Sequence, residues 1–456
     1  MLVQKSLIKV DSYGRFEMHD LIEEMAHYIV RGEHSKSPEK HSRIWKEEDI
    51  AYLYDMGADA PPMETEVLAN FHRTIDHPGL SDVVSSMKKL RWIRLYDYPA
   101  SSFPSNFKPK ELGYLELMGS QQKELWHGLK EIDPSIGYHK RLVYVDMGYC
   151  KKLKRFPPIK EMKKLETLDL SYCIQLQQFP DIKSNMDSLV TLDLSLTDIE
   201  IIPTSVGRFC TNLVSFILYG CQKLKRIEGS FLLLKSLKDL NLHGCLGLQS
   251  FHHGRPMMSR KLPQFPRSLM KLDLSGCNLG DGDIPSNIFE LLNLQLLYLS
   301  RNKFSRLPSG LSQMSCLKLL KLSKCVNLVE LPDLPSSIAI LYANCCDSLE
   351  SVEDLSNYKW LWKVSLWEGV NNRVLLSMLE KYIIVIKQEM STDQSEKFDK
   401  DCREPDKDCR EPHNYKRTHN IGLNVELVRS KSKIGVRPPN PRSHSVNATN
   451  MCAEST

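Results

Sequence analysis

The side chains in this sequence that could support metal or redox chemistry are mainly cysteines. The chain has 456 residues and 13 cysteines, and those that recur at one position of a repeated pattern are Cys150, Cys173, Cys221, Cys245, Cys277, Cys325 and Cys346. Reactive cysteines need neighbours that stabilise the thiolate, and no such neighbour recurs here. Thr197 and Asn302 also occupy this position. We therefore predict a structural column of free thiols that meet turn carbonyls, rather than a metal or redox site.

The pair His19–Asp20 is a second candidate, and it lies between a predicted hairpin and a predicted helix. Residues 6–18 contain two short strand-like segments around the turn D-S-Y-G. Asp20 and Glu23 form a D-x-x-E pattern that is typical of a helix N-terminus. No glycine in the chain is followed by lysine, so the phosphate-binding pattern G-x-x-x-x-G-K-[ST] is absent. These residues alone predict an N-cap at Asp20, an exposed His19, and no cofactor in the isolated chain.

The elements that would position these side chains are repeats with the pattern L-x-x-L-x-L-x-x-C/N. Strong copies occupy residues 165–173, 189–197, 213–221, 237–245, 269–277, 294–302 and 317–325, and weaker copies occupy 90–98, 112–120, 142–150 and 338–346. Side chains alternate along a strand, so the two leucines of L-x-L face inward and their neighbours face outward. A single turn cannot bury its leucines, whereas stacked turns bury them in one core. We expect about ten to eleven turns of a leucine-rich solenoid.

The outward strand positions predict a protein-binding concave face. Its expected residues are Trp92, Arg94, Tyr96, Tyr114, Glu116, Tyr144, Asp146, Asp169, Asp193, Tyr219, His243, Asp273 and Tyr298. Aromatic residues at one end and carboxylates in the middle are typical of a surface that binds a basic protein. A solvated face is the alternative, because L-D-L-S is also a common form of the repeat. The pattern predicts neither catalytic residues nor metal ligands.

Composition restricts the partners and the compartment. The net charge of +5 is small for this length, and we see no clustered basic face that would indicate nucleic acid. No run of 18 apolar residues indicates a membrane span, and the N-terminus does not resemble a signal peptide. We therefore expect a cytoplasmic protein, with the nucleus left open, that binds neither nucleic acid nor membrane.

Two segments resemble the plant TIR-type nucleotide-binding, leucine-rich-repeat disease-resistance receptors. Residues 6–50, including Met18-His19-Asp20, are similar to the end of the nucleotide-binding region, where M-H-D is a family motif. The C-rich repeats and residues 277–308 are similar to the family's repeat domain. The resemblance covers about residues 1–350, and it implies that the chain is a C-terminal fragment without the TIR domain and P-loop. It also implies that His19 and Asp20 contact the phosphate of ADP only when a nucleotide-binding module is joined to the chain.

The expected fold is an α/β solenoid, a leucine-rich-repeat horseshoe with additions at both ends. A partial winged-helix unit with the M-H-D motif is predicted at 1–56, a linker at 57–88, and the repeats at 89–350. A short α/β post-repeat segment is predicted at 351–390. A charged, disordered tail is predicted at 391–456, because its composition cannot bury enough apolar surface to fold.

The expected function is that of an intracellular plant immune receptor fragment rather than an enzyme. The resemblance implies that the repeats recognise a pathogen effector or a guarded host protein. It also implies that they regulate an ADP/ATP-switched signalling module, a TIR and nucleotide-binding module in cis or in trans. The alternative is a non-catalytic leucine-rich-repeat scaffold or ubiquitin-ligase substrate adaptor, although no F-box-like N-terminus is apparent.

Overall fold

The computed structural model describes most of the repeats and parts of both ends. The residues described are 8–10, 16–18, 24–25, 28–30, 32, 34, 36–56, 59, 61–69, 83–84, 86–97, 109–120, 138–228, 231–248, 265–284, 286–331, 333–350, 352, 355–366 and 425–428. They belong to two compact units, Met1–Lys271 and Leu272–Thr456.

The first unit begins with the predicted hairpin. Strands β1 (Ile8–Val10) and β2 (Phe16–Met18) pair in antiparallel fashion, with Ile8 opposite Met18. Helical residues follow at 24–25 and 28–30, where Met25 and Ile29 are 57% and 63% exposed. A 3₁₀ turn at Pro38–Lys40 and helix α1 (Glu47–Met56) complete this part of the chain.

A parallel sheet with one strand per turn forms the body of the first unit. Its strands are β3 (Arg43–Ile44), β4 (Val67–Ala69), β5 (Trp92–Arg94), β6 (Tyr114–Glu116), β7 (Tyr144–Asp146), β8 (Thr167–Asp169), β9 (Thr191–Asp193), β11 (Ser215–Ile217) and β13 (Asp239–Asn241). The opposite side carries β10 (Ile201–Ile202) paired with β12 (Arg226–Ile227), helix α2 (Thr204–Phe209) and a 3₁₀ turn at Phe231–Leu233.

The second unit continues the same repeat with its own parallel strands. They are β14 (Lys271–Asp273, whose first residue closes the first unit), β15 (Leu296–Tyr298), β16 (Leu319–Lys321), β17 (Ile340–Tyr342) and β18 (Lys363–Leu366). The 3₁₀ turns lie at Ser286–Glu290, Leu311–Gln313 and Leu355–Asn357. Strand β19 (Val425–Val428) pairs antiparallel with β18.

The solenoid core confirms the predicted inward and outward positions. Leu192 and Leu240 are 0% exposed, whereas the adjacent Thr191 and Asp239 are partly exposed. Each fully buried leucine contributes roughly 1.5–3 kcal/mol relative to an exposed one. Burial of this row over successive turns therefore holds together strands that are each only three residues long.

The cysteine column is structural in the residues described, as predicted. The Cys221 thiol donates to the carbonyl of Leu194 at 3.0 Å, and the Cys245 thiol donates to the carbonyl of Leu218 at 3.1 Å. Each acceptor is the last inward leucine of the preceding turn. The Thr197 hydroxyl makes the equivalent bond within its own turn, to Leu194 at 2.8 Å. The cysteine thiols at this position therefore join one turn to the next, whereas the Thr197 hydroxyl closes its own turn.

The sheet extends further than the repeat pattern predicts. The segment 57–88, which the sequence presents as a linker, contains β4, and β4 pairs with β5. Strand β3 lies within residues 1–56, and β18 lies after residue 350. The tail predicted to be disordered supplies β19, so the prediction differs from the structure for those four residues. Strands β4 and β18 each pair with a strand on both sides, and the buried Leu68, Val364 and Leu366 extend the inward row into them.

Candidate protein-binding surface

The outward strand positions of the first unit line up in columns because the strands pair in register. Trp92 is opposite Tyr114, which is opposite Tyr144. Two residues further along the strands, at the next outward position, Asp146 is opposite Asp169, and Asp169 is opposite Asp193. We call Trp92, Tyr114 and Tyr144 the aromatic column, and Asp146, Asp169 and Asp193 the carboxylate row. The register brings together the members of each set, although consecutive members lie 22 to 30 residues apart in the chain.

The aromatic column is a contiguous and partly exposed set of rings. The ring centroids of Trp92 and Tyr114 are 5.3 Å apart, and those of Tyr114 and Tyr144 are 6.1 Å apart. Trp92 is 37% exposed and Tyr114 is 41% exposed. Large rigid rings that remain accessible are the residue types that dominate binding at protein interfaces.

An ion pair fixes the end of this surface. The Arg94 guanidinium donates to both carboxylate oxygens of Glu116, at 2.5 and 2.8 Å, and lies 5.5 Å from the Trp92 ring centre. Burial alone would lower the pKa of Arg94, but the hydrogen bonds and charge of Glu116 outweigh it and raise that pKa. Glu116 is 7% exposed. This carboxylate therefore orients Arg94, and it is less accessible than the outward position of Glu116 in the sequence suggests.

Each carboxylate in the row has one oxygen engaged by the backbone. Oδ1 accepts the N–H two residues further on, from Gly148, Ser171 and Ser195 respectively, each at 2.8 Å. Asn241 accepts from the N–H of His243 in the same way at 2.9 Å. This contact gives each residue a local structural role. Such a role is what we expect if L-D-L-S is simply a common form of the repeat. It leaves the second oxygen of Asp169 and Asp193 without a backbone bond of this kind.

The row is electrostatically crowded. Burial raises the pKa of Asp146 to about 7, and the charge of Asp169 adds to the increase. Burial, together with the charge of Asp169, also raises the pKa of Asp193 to about 6. Asp146 is 9% exposed, so this residue is more buried than we predicted for an outward position. A cation placed against the row would relieve repulsion among these carboxylates.

The remaining predicted residues occupy two other places. Tyr219 and His243 lie one step beyond the carboxylate row, with their rings 5.0 Å apart, and Tyr96 lies in the same outward position of an earlier turn. Asp273 and Tyr298 belong to the second unit. Asp273 Oδ1 accepts the N–H of Ser275 at 2.8 Å, which repeats the local contact seen in the row.

Sequence analysis missed a position with left-handed backbone two residues after the last inward leucine. It holds Asp97, Gly119, Tyr149, Tyr172, Leu196, Gly220, Gly244, Gly276, Arg301, Lys324 and Cys345, with φ between +51° and +72°. Glycine meets this need without strain, whereas a bulky residue there costs roughly 1–2 kcal/mol. Tyr149 and Tyr172 nevertheless occupy adjacent turns, and their rings stack at 4.1 Å with an 11° tilt. The recurrence of glycine at this position was the available signal.

Three further predictions concern the His19–Asp20 pair, metal ligands and membrane-spanning helices. His19 and Asp20 lie outside the described residues. Among the residues that are described, no group of three His, Cys, Asp or Glu side chains could hold a metal ion. No helix in the described part of the chain is long and apolar enough to cross a membrane.

Comparisons with known protein families match both parts of the chain. Residues 161–364 match the leucine-rich repeats of the RPS4B-like disease-resistance proteins. Residues 1–35 match the winged-helix domain of the Roq1-like disease-resistance proteins. The order of the two matches, winged helix and then repeats, is the order that the sequence predicts.

Individual relatives extend over most of this chain. TMV resistance protein N of Nicotiana glutinosa is 26% identical over 420 residues, which cover 70% of this chain and 36% of that protein. Disease resistance protein RPS4B of Arabidopsis thaliana is 27% identical over 397 residues, covering 74% and 32%. Disease resistance-like protein DSC1 of the same plant is 25% identical over 481 residues, covering 77% and 39%.

The chain thus spans about a third of the length of these relatives. Its repeats, its winged-helix segment and its relatives all point to one class of proteins. The chain is similar to the plant TIR-type nucleotide-binding, leucine-rich-repeat disease-resistance proteins, with residues 1–35 matching a winged-helix domain and residues 161–364 matching leucine-rich repeats of such proteins.

Proposed function

We propose that the outward face of the repeats in the first unit recognises a basic protein, either a pathogen effector or a guarded host protein, in the plant cytoplasm. The observation that carries this proposal is the carboxylate row beside the aromatic column. Exposed tryptophan and tyrosine supply the residue types of binding hot spots, and the carboxylates supply charge complementary to a basic partner. Binding would then regulate a signalling module that switches between ADP and ATP.

We propose that the nucleotide of that module is bound elsewhere than on the segment present in this chain. The sequence contains no P-loop pattern, which supports this part of the proposal. We therefore assign the nucleotide to a TIR and nucleotide-binding module joined in cis or in trans. The contribution of this chain is partner recognition, together with the His19 and Asp20 contacts that the family resemblance implies.

Site-specific photo-crosslinking can test whether this face binds a protein. A photoreactive amino acid would replace Tyr114 of the aromatic column in the full chain, which would be expressed in leaf tissue exposed to pathogen. A matched chain would carry it at Leu232, which is also exposed, at 44% against 41% for Tyr114, but lies in the 3₁₀ turn at Phe231–Leu233 outside the strand face.

The proposal predicts a discrete protein adduct at Tyr114 that is absent at Leu232. Mass spectrometry of the adduct would identify the partner, and its net charge should be positive. Equal adducts at both positions, or adducts at Leu232 alone, would contradict recognition by this face.

A further inference from the structure

A cleft at the edge of the strand face lies beside the carboxylate row. Its lining among the described residues is formed by Tyr96, Asp97, Met118, Gly119, Tyr149, Lys151 and Lys152. The cleft has a volume of about 490 Å³, which is within the range of ordinary ligand sites. Tyr149 is 43% exposed at its wall.

The cleft exists because one turn lacks a side chain. Asp97, Gly119 and Tyr149 occupy the left-handed position in three consecutive turns. The N–H of Asp97 donates to the carbonyl of Met118 at 2.9 Å, and the N–H of Gly119 donates to that of Gly148 at 2.8 Å. Gly119 therefore forms the floor between a carboxylate on one side and an aromatic ring on the other. A Cβ on Gly119 would lie 2.5 Å from Asp97 Oδ1, so the carboxylate already leans over this floor.

Tyr149 is one of several non-glycine residues at the left-handed position among the described turns, and its ring lines the cleft. Its φ is +61°, and glycine fills the equivalent position of the preceding turn and of two later turns in the first unit. Tyr149 stacks on Tyr172, so one face of its ring has a partner. Tyr172 and Leu196 share this backbone conformation in the next two turns, so the feature that distinguishes Tyr149 is the position of its exposed ring in the wall of the cleft.

We propose that this cleft receives an arginine side chain of the protein partner. The planar guanidinium would stack on the Tyr149 ring and bond to the Asp97 carboxylate over Gly119. Arginine fits both walls, since it combines a stacking plane with a fork of donors. The inference rests on the proposed function, because the carboxylate row favours the same basic partner.

The charges around the cleft are of both signs, and they determine whether removing the lysines strengthens or weakens arginine binding. Lys151 and Lys152 are exposed at the rim and oppose a cation. Asp97 and the nearby Asp169, whose charge acts on Tyr149, attract one. The lysine ammonium groups are strongly hydrated and lie on flexible stems that can turn into solvent, whereas Asp97 would contact the guanidinium directly. We therefore expect the attraction to win, and we expect removal of the lysines to strengthen binding.

Short peptides can test this site without the natural partner. The probes are acetyl-Ser-Arg-Ser-amide, the same peptide with citrulline, which is planar and neutral, and the same peptide with lysine, which is charged but not planar. Binding to the full chain would be followed by saturation-transfer NMR. We expect the arginine peptide to bind at millimolar concentration and at least fivefold more tightly than the other two.

The variants separate a binding role from a structural one. Tyr149→Gly and Asp97→Asn should each weaken arginine-peptide binding at least fivefold, whereas Lys151→Ala with Lys152→Ala should strengthen it about twofold. Tyr149→Gly relieves the left-handed strain, so its melting temperature should stay within ~2 °C of wild type. Leu196→Gly changes the same backbone position outside the cleft lining and should leave peptide binding unchanged.

Unchanged peptide binding in folded Tyr149→Gly, or equal binding of the citrulline peptide, would overturn the arginine site. Failure of the arginine site can be distinguished from failure of the proposed function. If only the arginine site is wrong, the photo-crosslinked protein would still require the carboxylate row for binding and would tolerate Tyr149→Gly.

Discussion

At the scale of single residues, the carboxylate row has an observed local role and a proposed binding role. One oxygen of Asp146, Asp169 and Asp193 closes a bond to the backbone two residues on. In the proposed complex, a basic partner would relieve the repulsion among these partly buried carboxylates. The sequence predicted that these residues face outward, because the L-x-L alternation fixes the direction of each side chain. It could not predict the burial of Glu116 and Asp146, which depends on neighbouring turns and on the side-chain pairing with Arg94.

The raised pKa of Asp146 predicts a specific dependence of stability on pH. Between the ordinary value of 3.8 and about 7, the folded form keeps a proton that the unfolded form has released. The free energy of unfolding therefore falls as pH rises through this interval, by about 1.4 kcal/mol for each unit of pKa shift as an upper limit. Asn at position 146 keeps the backbone acceptor, as Asn241 does, and removes the titration.

Urea unfolding of wild type and Asp146→Asn at pH 4.5, 6 and 7.5 can measure this effect. We expect the variant to gain stability relative to wild type as pH rises, with the difference levelling above pH 7. A constant difference between the two proteins across this range would show that Asp146 titrates normally.

At the scale of the element, each repeat is a short strand whose stability depends on its neighbours. The L-x-x-L-x-L pattern predicted the repeat strands, because the inward leucines have no other way to be buried. Strands β3 and β4 carry no full copy of the pattern, whereas β18 carries the variant L-x-x-V-x-L at Leu361, Val364 and Leu366, all of which are buried. The left-handed position also escaped prediction at Tyr149 and Tyr172, because those residue types do not normally indicate positive φ.

Paired substitutions in β9 test the inward and outward assignment. Leu192→Ala should destabilise the protein by roughly 2–5 kcal/mol, because it leaves a cavity in the buried row. Thr191→Ala, at the adjacent outward position, should change stability by no more than about 0.5 kcal/mol. Thermal or urea unfolding of the two variants gives the comparison. Equal losses would be incompatible with a core formed by the L-x-L leucines.

At the scale of the whole molecule, this chain resembles about a third of a longer receptor type. The family resemblance implies that His19 and Asp20 help to hold ADP in a closed state when a nucleotide-binding module is present. A contact made only in one state biases the population toward that state, and its removal favours the other. We expect the isolated chain to lack a nucleotide site for these residues to complete, because its sequence contains no P-loop pattern. The same substitution should therefore act differently in the two contexts.

Asp20→Val therefore has two expected outcomes. In the isolated chain it should cost roughly 1 kcal/mol through loss of a helix cap, and calorimetry should detect no ADP binding before or after the change. Joined to a matching TIR and nucleotide-binding module in leaf tissue, it should cause cell death without pathogen. Tight ADP binding by the isolated wild type would contradict the first outcome. A silent joined variant at wild-type protein level would contradict the second.

The most direct test of the account is the affinity of the partner recovered at Tyr114 for wild type and for the double variant Asp169→Asn, Asp193→Asn. Both asparagines keep the backbone acceptor, so the fold should persist while two charges of the carboxylate row are lost. We expect the dissociation constant to rise at least tenfold at pH 7.5, and the wild-type affinity to fall as pH drops through the interval from 7 to 6 in which Asp146 and Asp193 become protonated. An unchanged dissociation constant in the folded double variant would contradict recognition by the carboxylate row.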